Sequence, residues 1–147
     1  MHFVTSLFGY PNKVSYTANI MEGVDFGGSL QFIYDNQLLA TLNACKNTYA
    51  QSNIQIQGEK GYITSNYASS MLTSFTIHKP NEQEQTIDVQ EPGLTHHYYI
   101  SYLLDLIKNN NLTECQKRLE HSLKIVELLV EARKDANIIF EADKKLL

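Results

Sequence analysis

The hydrophobic positions of this chain change period twice. Over residues 1–8, Met1, Val4, Leu7 and Phe8 recur at helical spacing and predict a short helix. Gly9 ends it, and Pro11 prevents its resumption. Beyond Pro11 the period falls to two. Val14, Tyr16, Ala18 and Ile20 alternate with Ser15, Thr17 and Asn19, the pattern of a strand with one buried face. Strands are expected at 29–34 and 37–44 across an Asp35-Asn36 turn, and at 52–57 and 61–64 across Gly58-Glu59-Lys60-Gly61. A third pair, 71–78 and 86–90, flanks the loop at 79–82.

From Thr95 the period returns to that of a helix. Tyr99, Tyr102, Leu103, Leu106 and Ile107 form the apolar stripe of a helix over 95–108, which Asn109-Asn110-Asn111 ends. Thr113 and Gln116 have capping-box spacing, opening a helix to residue 136 whose stripe is Leu119, Leu123, Val126, Leu129 and Val130. A last strand is expected at 137–140. The sum is one α+β domain over residues 1–147, a largely antiparallel, open-faced β-sheet with helices packed on one face. The free face, rich in Tyr, Gln, Asn, Ser and Thr, is expected to pair with a second copy, giving a homodimer or tetramer.

Charge narrows the partners. The 147 residues hold 12 Lys and Arg against 16 Asp and Glu, a net charge of −4 with no basic cluster, which argues against nucleic acid and anionic membranes. The apolar run at 125–130 is broken by Glu127, far short of a bilayer span. Cys45 and Cys115 lie far apart without metal-ligand spacing and read as reduced, buried or half-buried thiols. With no signal-type segment at the start, a cytoplasmic location is expected. Met1 falls inside the first helical stripe with no capping residue before it, so further chain is expected upstream.

Little of this sequence reads as chemistry. Gly27-Gly28 and the Gly58 to Gly61 segment lack the third glycine and following helix of a dinucleotide loop, and both read as hairpin turns. His96 and His97 point about 100° apart on a helix and do not share a metal ion, although a helix start with His and Tyr can hydrogen-bond a polyhydroxylated ligand. Neither cysteine has a histidine at a spacing that implies activation. Asp25, Asp88 and Glu91 read as solvated charges. No catalytic, cofactor-binding or metal-ligating residue is assigned.

Several local strings, in order, resemble a known family. Phe8-Gly9-Tyr10-Pro11-Asn12-Lys13-Val14 is similar to the link between the last crossover helix and the C-terminal domain of glucose–fructose oxidoreductase, inositol dehydrogenase and their relatives, the Gfo/Idh/MocA family. Residues 54–63 resemble that family's I-x-G-x-x-G-x-I hairpin. Pro92-Gly93 with the aromatic-rich helix behind it, and then residues 122–140, look like its closing elements. The resemblance implies the C-terminal domain of an NAD(P)-dependent oxidoreductase acting on a sugar, cyclitol or related substrate. In such enzymes an N-terminal Rossmann domain binds NAD or NADP, and the C-terminal domain supplies a substrate wall and the oligomer interface.

The family's Glu-Lys-Pro lysine belongs to that N-terminal domain. Its Asp-x-x-x-His histidine would fall just upstream of Met1, and His2 aligns where Asp is usual. The resemblance therefore implies a chain that holds no cofactor and is inactive alone. Tyr49, Ser52 and Asn53, in the polar segment before the Gly58 hairpin, and His97 and Tyr98 are the expected substrate contacts. The alternative is a stand-alone, non-catalytic binding or dimerisation module.

Overall fold

The computed structural model describes residues 1–67, 71–89 and 96–144. Gln90, Glu91, Pro92-Gly93 and Thr95, which carry the end of a predicted strand, part of the resemblance and a predicted helix start, lie outside the described residues. The chain forms two compact units, one of residues 1–49 with the described residues from 113 onward, the other of the described residues between 50 and 112.

The first unit contains α1 (His2–Phe8), strands β1 (Lys13–Met21), β2 (Val24–Ile33) and β3 (Leu39–Cys45), and nearly all of a long helix that begins at Leu112. The strands form an antiparallel meander in the order β1-β2-β3. Glu22 and Gly23, with φ of 52° and 77°, make the tight β1–β2 turn. This corrects the reading of Gly27-Gly28 as a turn, because both lie inside β2. A β-carbon on Gly28 would stand 2.1 Å from the Thr17 carbonyl oxygen, so the glycine serves close strand approach instead.

Alternation along the strands delivers Val14, Leu30 and Phe32 to one face, where Tyr34 joins them. The long helix brings Ile125, Leu128 and Ala132 against this face, at i, i+3 and i+7. Met1 and Val4 close the margin of this core. The predicted stripe is thereby corrected. Leu119, Leu123, Val126 and Leu129 are exposed and Val130 is half-buried. This helix carries two apolar stripes, and periodicity alone does not say which one meets a sheet. The helix also begins at Leu112, which places Thr113 in its first turn rather than at its cap.

After the long helix ends at Asp135, residues 137–140 form no strand. Asn137 takes a left-handed φ of 56°, and the Ile138 N–H returns to the Arg133 carbonyl at 2.9 Å. Arg133 Nη1 donates to the Ile138 carbonyl at 2.8 Å, and the Phe140 N–H donates to Asp143 Oδ2 at 2.7 Å. These backbone groups are satisfied locally and have no need of a sheet edge. Arg133 also binds Asp143 through Nη2 to Oδ1 at 2.9 Å and covers the Phe140 ring. The guanidinium hydrogen bond, helped by the Phe140 N–H, lowers the Asp143 carboxyl from 3.8 to about 2. A depressed carboxyl stabilises the fold above its unfolded value and loses that contribution as pH falls through its folded one. The clasp is therefore expected to be intact above pH 4 and to open toward pH 2. NMR titration of the Asp143 carboxyl checks this, with Arg133→Gln returning its midpoint toward 3.8.

The second unit contains β4 (Gln55–Gly58), β5 (Gly61–Ser65), β6 (Ser74–His78) and β7 (Gln85–Asp88), followed by α2 (His97–Lys108). The strands are again antiparallel, in the order β4-β5-β6-β7. Where one sheet was expected, hydrogen bonds among the described residues sort the strands into one sheet of three and another of four. With α3 (Leu112–Asp135) and α4 (Glu141–Lys144) this completes an α+β fold of largely antiparallel strands. Leu106 is buried on α2, whereas Tyr99, Leu103 and Ile107 of its predicted stripe are exposed, as is Tyr102.

Candidate functional site

The four-stranded sheet has one mainly apolar face, which also carries Ser65 and Gln85, and one polar face. Register aligns Ile56, Ile63 and Ile77 in one row and Phe75 with Ile87 in the next, on a common face. The opposite face carries Gln55, Thr64, Thr76 and Thr86 in one row and Gln57, Tyr62 and His78 in the neighbouring one. Sequence alternation dictates this split, since successive side chains leave a strand on opposite sides.

On the polar face the cross-strand pair Tyr62 and His78 stacks at 4.2 Å between ring centroids, 7° from parallel. Thr64 Oγ1 lies 2.8 Å from His78 Nε2, and Glu84 Oε1 lies 3.0 Å from His78 Nδ1. One imidazole thus joins a hydroxyl to a carboxylate, and its side chain is only 17% exposed. Beside it opens a cleft of about 290 Å³ whose lining includes Gly61, Tyr62, His78, Lys79, Glu82 and Glu84. Lys79 pairs with Glu82 across the turn at 3.1 Å. The cleft offers a ring face beside groups that donate and accept hydrogen bonds, which suits a hydroxylated ring with apolar C–H faces.

The residues singled out from sequence are placed as follows. Tyr49 is fully exposed at the end of a first-unit segment. Ser52 and Asn53 are exposed on the approach to β4, next to Ile54, whose N–H donates to Ser65 Oγ at 2.7 Å. His97 and Tyr98 open α2 with their rings edge to face at 5.6 Å. His96 meets Tyr99 similarly, also at 5.6 Å. No hydrogen bond or ring contact among the described residues joins Ser52 or Asn53 to His97 or Tyr98. The Thr64–His78–Glu84 relay escaped the sequence reading. Its signal was the parity of Tyr62, Thr64, Thr76 and His78 across the hairpin, which needs the strand register to be read.

Other candidates resolve simply. Cys45 is exposed rather than buried, and hydrogen bonds around Asn47 lower its thiol pKa; Cys115 is half-buried. Asp25 accepts from the Tyr16 hydroxyl at 3.0 Å and from the Gly27 N–H at 3.0 Å, so it is a structural acceptor rather than a free charge. Burial, and then this carboxylate, raise the Tyr16 phenol. Gly27-Gly28 and Gly58–Gly61 both close on neighbouring strands, so neither fits a dinucleotide pyrophosphate. No helix among the described residues is long and apolar enough to cross a membrane.

Comparison with known proteins gives a consistent picture. No family model matches the chain. The chain is 29% identical over 147 residues to scyllo-inositol 2-dehydrogenase (NADP(+)) IolU of Bacillus subtilis (strain 168), an alignment covering 94% of this chain and 42% of that protein. The chain thus spans less than half the length of its curated relative. Two solved structures provisionally assigned as oxidoreductases share the fold. One, from Klebsiella pneumoniae, has a TM-score of 0.69 at 13% identity over 92% of this chain and 44% of its own. The other, yvaA of Bacillus subtilis, has a TM-score of 0.63 at 12% identity over 92% and 46%. The resemblance read from the sequence strings is therefore borne out in both sequence and fold.

Proposed function

We propose that this chain, with the sequence and fold of the C-terminal part of a Gfo/Idh/MocA-type oxidoreductase, is the substrate-side portion of an NAD(P)-dependent enzyme acting on a sugar, cyclitol or related hydroxyl or carbonyl compound. One observation carries the reading: the similarity to an inositol dehydrogenase runs through 94% of the chain without confinement to one motif. In this reading residues 1–147 act as a single substrate-binding and oligomerisation domain. Ser52, Asn53, His97 and Tyr98, with Tyr49, supply hydrogen bonds to substrate hydroxyls.

No hydride or proton step is assigned to these residues. NAD or NADP binds elsewhere in the intact enzyme, and this chain orients the substrate. The polar sheet face pairs with a second copy in a homodimer or tetramer, and the enzyme is cytoplasmic.

Three measurements test this. Titration with scyllo-inositol is expected to shift the NMR signals of His97, Tyr98, Ser52 and Asn53, while the chain alone forms no NADPH from scyllo-inositol and NADP⁺. Sedimentation is expected to give a symmetric oligomer. Turnover by the chain itself would overturn the division of labour. An oligomer that ignores every inositol and sugar tested would favour the non-catalytic module instead.

A further inference from the structure

The first unit contains a buried polar atom without a partner among the described residues, the Nε2 of His121 on α3. Its other ring nitrogen, Nδ1, is held 2.8 Å from the Tyr10 hydroxyl in the link between α1 and β1. The ring of His2, the first residue of α1, lies with its centroid 5.2 Å from that of His121, tilted by 60°. A buried imidazole nitrogen with no partner calls for an explanation.

Each of these features has a counterpart in metal chemistry. Histidines that bind a metal through one nitrogen are generally anchored by a hydrogen bond on the other, which selects the tautomer and aims the lone pair. Tyr10 can supply that anchor by accepting the Nδ1 proton, leaving Nε2 as a bare lone pair. The ring spacing also fits. A metal bound at about 2.0–2.1 Å stands about 3.2 Å from an imidazole centroid, so two tetrahedral ligands place their centroids about 5.2 Å apart.

We propose that His2 and His121 form a two-histidine site for a borderline divalent transition metal of the Zn²⁺ class, with Tyr10 as the positioning residue. The described residues provide no group of three or more His, Cys, Asp or Glu for a metal, so water completes the coordination. Binding is accordingly weaker than at a structural four-ligand site, and it clasps α1 to α3. The assignment does not depend on the oxidoreductase reading.

Titration of the full chain with ZnCl₂, followed by calorimetry and by the histidine ring resonances, tests it. One equivalent is expected to bind with micromolar affinity and to shift the signals of His2 and His121. His2→Gln, at an exposed position, and His121→Gln should each weaken binding about tenfold or more, and Tyr10→Phe should weaken it measurably. Circular dichroism checks that the variants fold, and His2→Gln alone decides if His121→Gln does not. Absence of binding below about 1 mM Zn²⁺ would overturn the site. So would binding that survives both histidine substitutions or that shifts only His78, His96 or His97.

Discussion

Phe32→Ala is expected to cost about 3–5 kcal/mol of stability, measured by urea unfolding of the full chain followed by far-UV circular dichroism. Phe32 is the only described side chain with no solvent exposure, and it sits where Val14, Leu30, Ile125, Leu128 and Ala132 converge. Removing its ring deletes the apolar area that holds α3 on the three-stranded sheet and leaves a cavity that a sheet and a helix can only partly close. A loss of that size is a large part of the 5–15 kcal/mol typical of a folded domain. Leu123→Ala is the internal comparison. Leu123 is 55% exposed on the opposite stripe of the same helix, so its loss should cost about 0.5 kcal/mol or less. Equal costs for the two would mean that the stripe facing the sheet has been wrongly identified.

Gly61→Ala should cost about 3 kcal/mol. Gly61 has a φ of 150°, a region that L residues rarely adopt, and a β-carbon there would lie 2.2 Å from the His78 carbonyl oxygen. That contact is with backbone, so relief requires β5 and β6 to separate. Tyr62 and His78, paired across those strands, would lose their stacking, and Thr64 would lose its hold on His78 Nε2. Hydrogen exchange should therefore show the β5 and β6 amides deprotected. Gly58→Ala, at the other end of the same turn, is the control. Its φ is ordinary and its β-carbon would stand 3.5 Å from the Gly61 carbonyl oxygen, an ordinary contact. It should cost about 1 kcal/mol or less. Similar losses for both glycines would show that the close approach of β5 and β6 is not what Gly61 provides.

The same hairpin shows how far local chemistry reaches. Gly58-Glu59-Lys60-Gly61 was readable as a turn because glycine at each end permits the chain reversal, and the structure places β4 and β5 on its two sides. Gly27-Gly28 has equally strong local character, yet it sits within a strand. What decides between the two is where the strand pairing reverses, at Glu22-Gly23 in the first sheet and at Glu59-Lys60 in the second, and that register involves residues beyond the glycines themselves. The relay of Thr64, His78 and Glu84 was hidden for the same reason, since its members meet only once β5 and β6 are in register. His2 and His121, at opposite ends of the chain, were invisible as a pair.

By itself, the sequence determined the alternation of the strands, the hairpin turns at 35–36, 58–61 and 79–82, the three longest helices and a resemblance that comparison bears out. These are properties of neighbours within a few residues, where steric limits and side-chain period act directly. Tertiary structure alone decided which of α3's two stripes is buried. It also decided that residues 137–140 are capped by Arg133 and Asp143 instead of joining a sheet, and that the strands bond in groups of three and four. Burial and hydrogen bonding at those places are a competition among distant surfaces, and local period carries no information about its outcome.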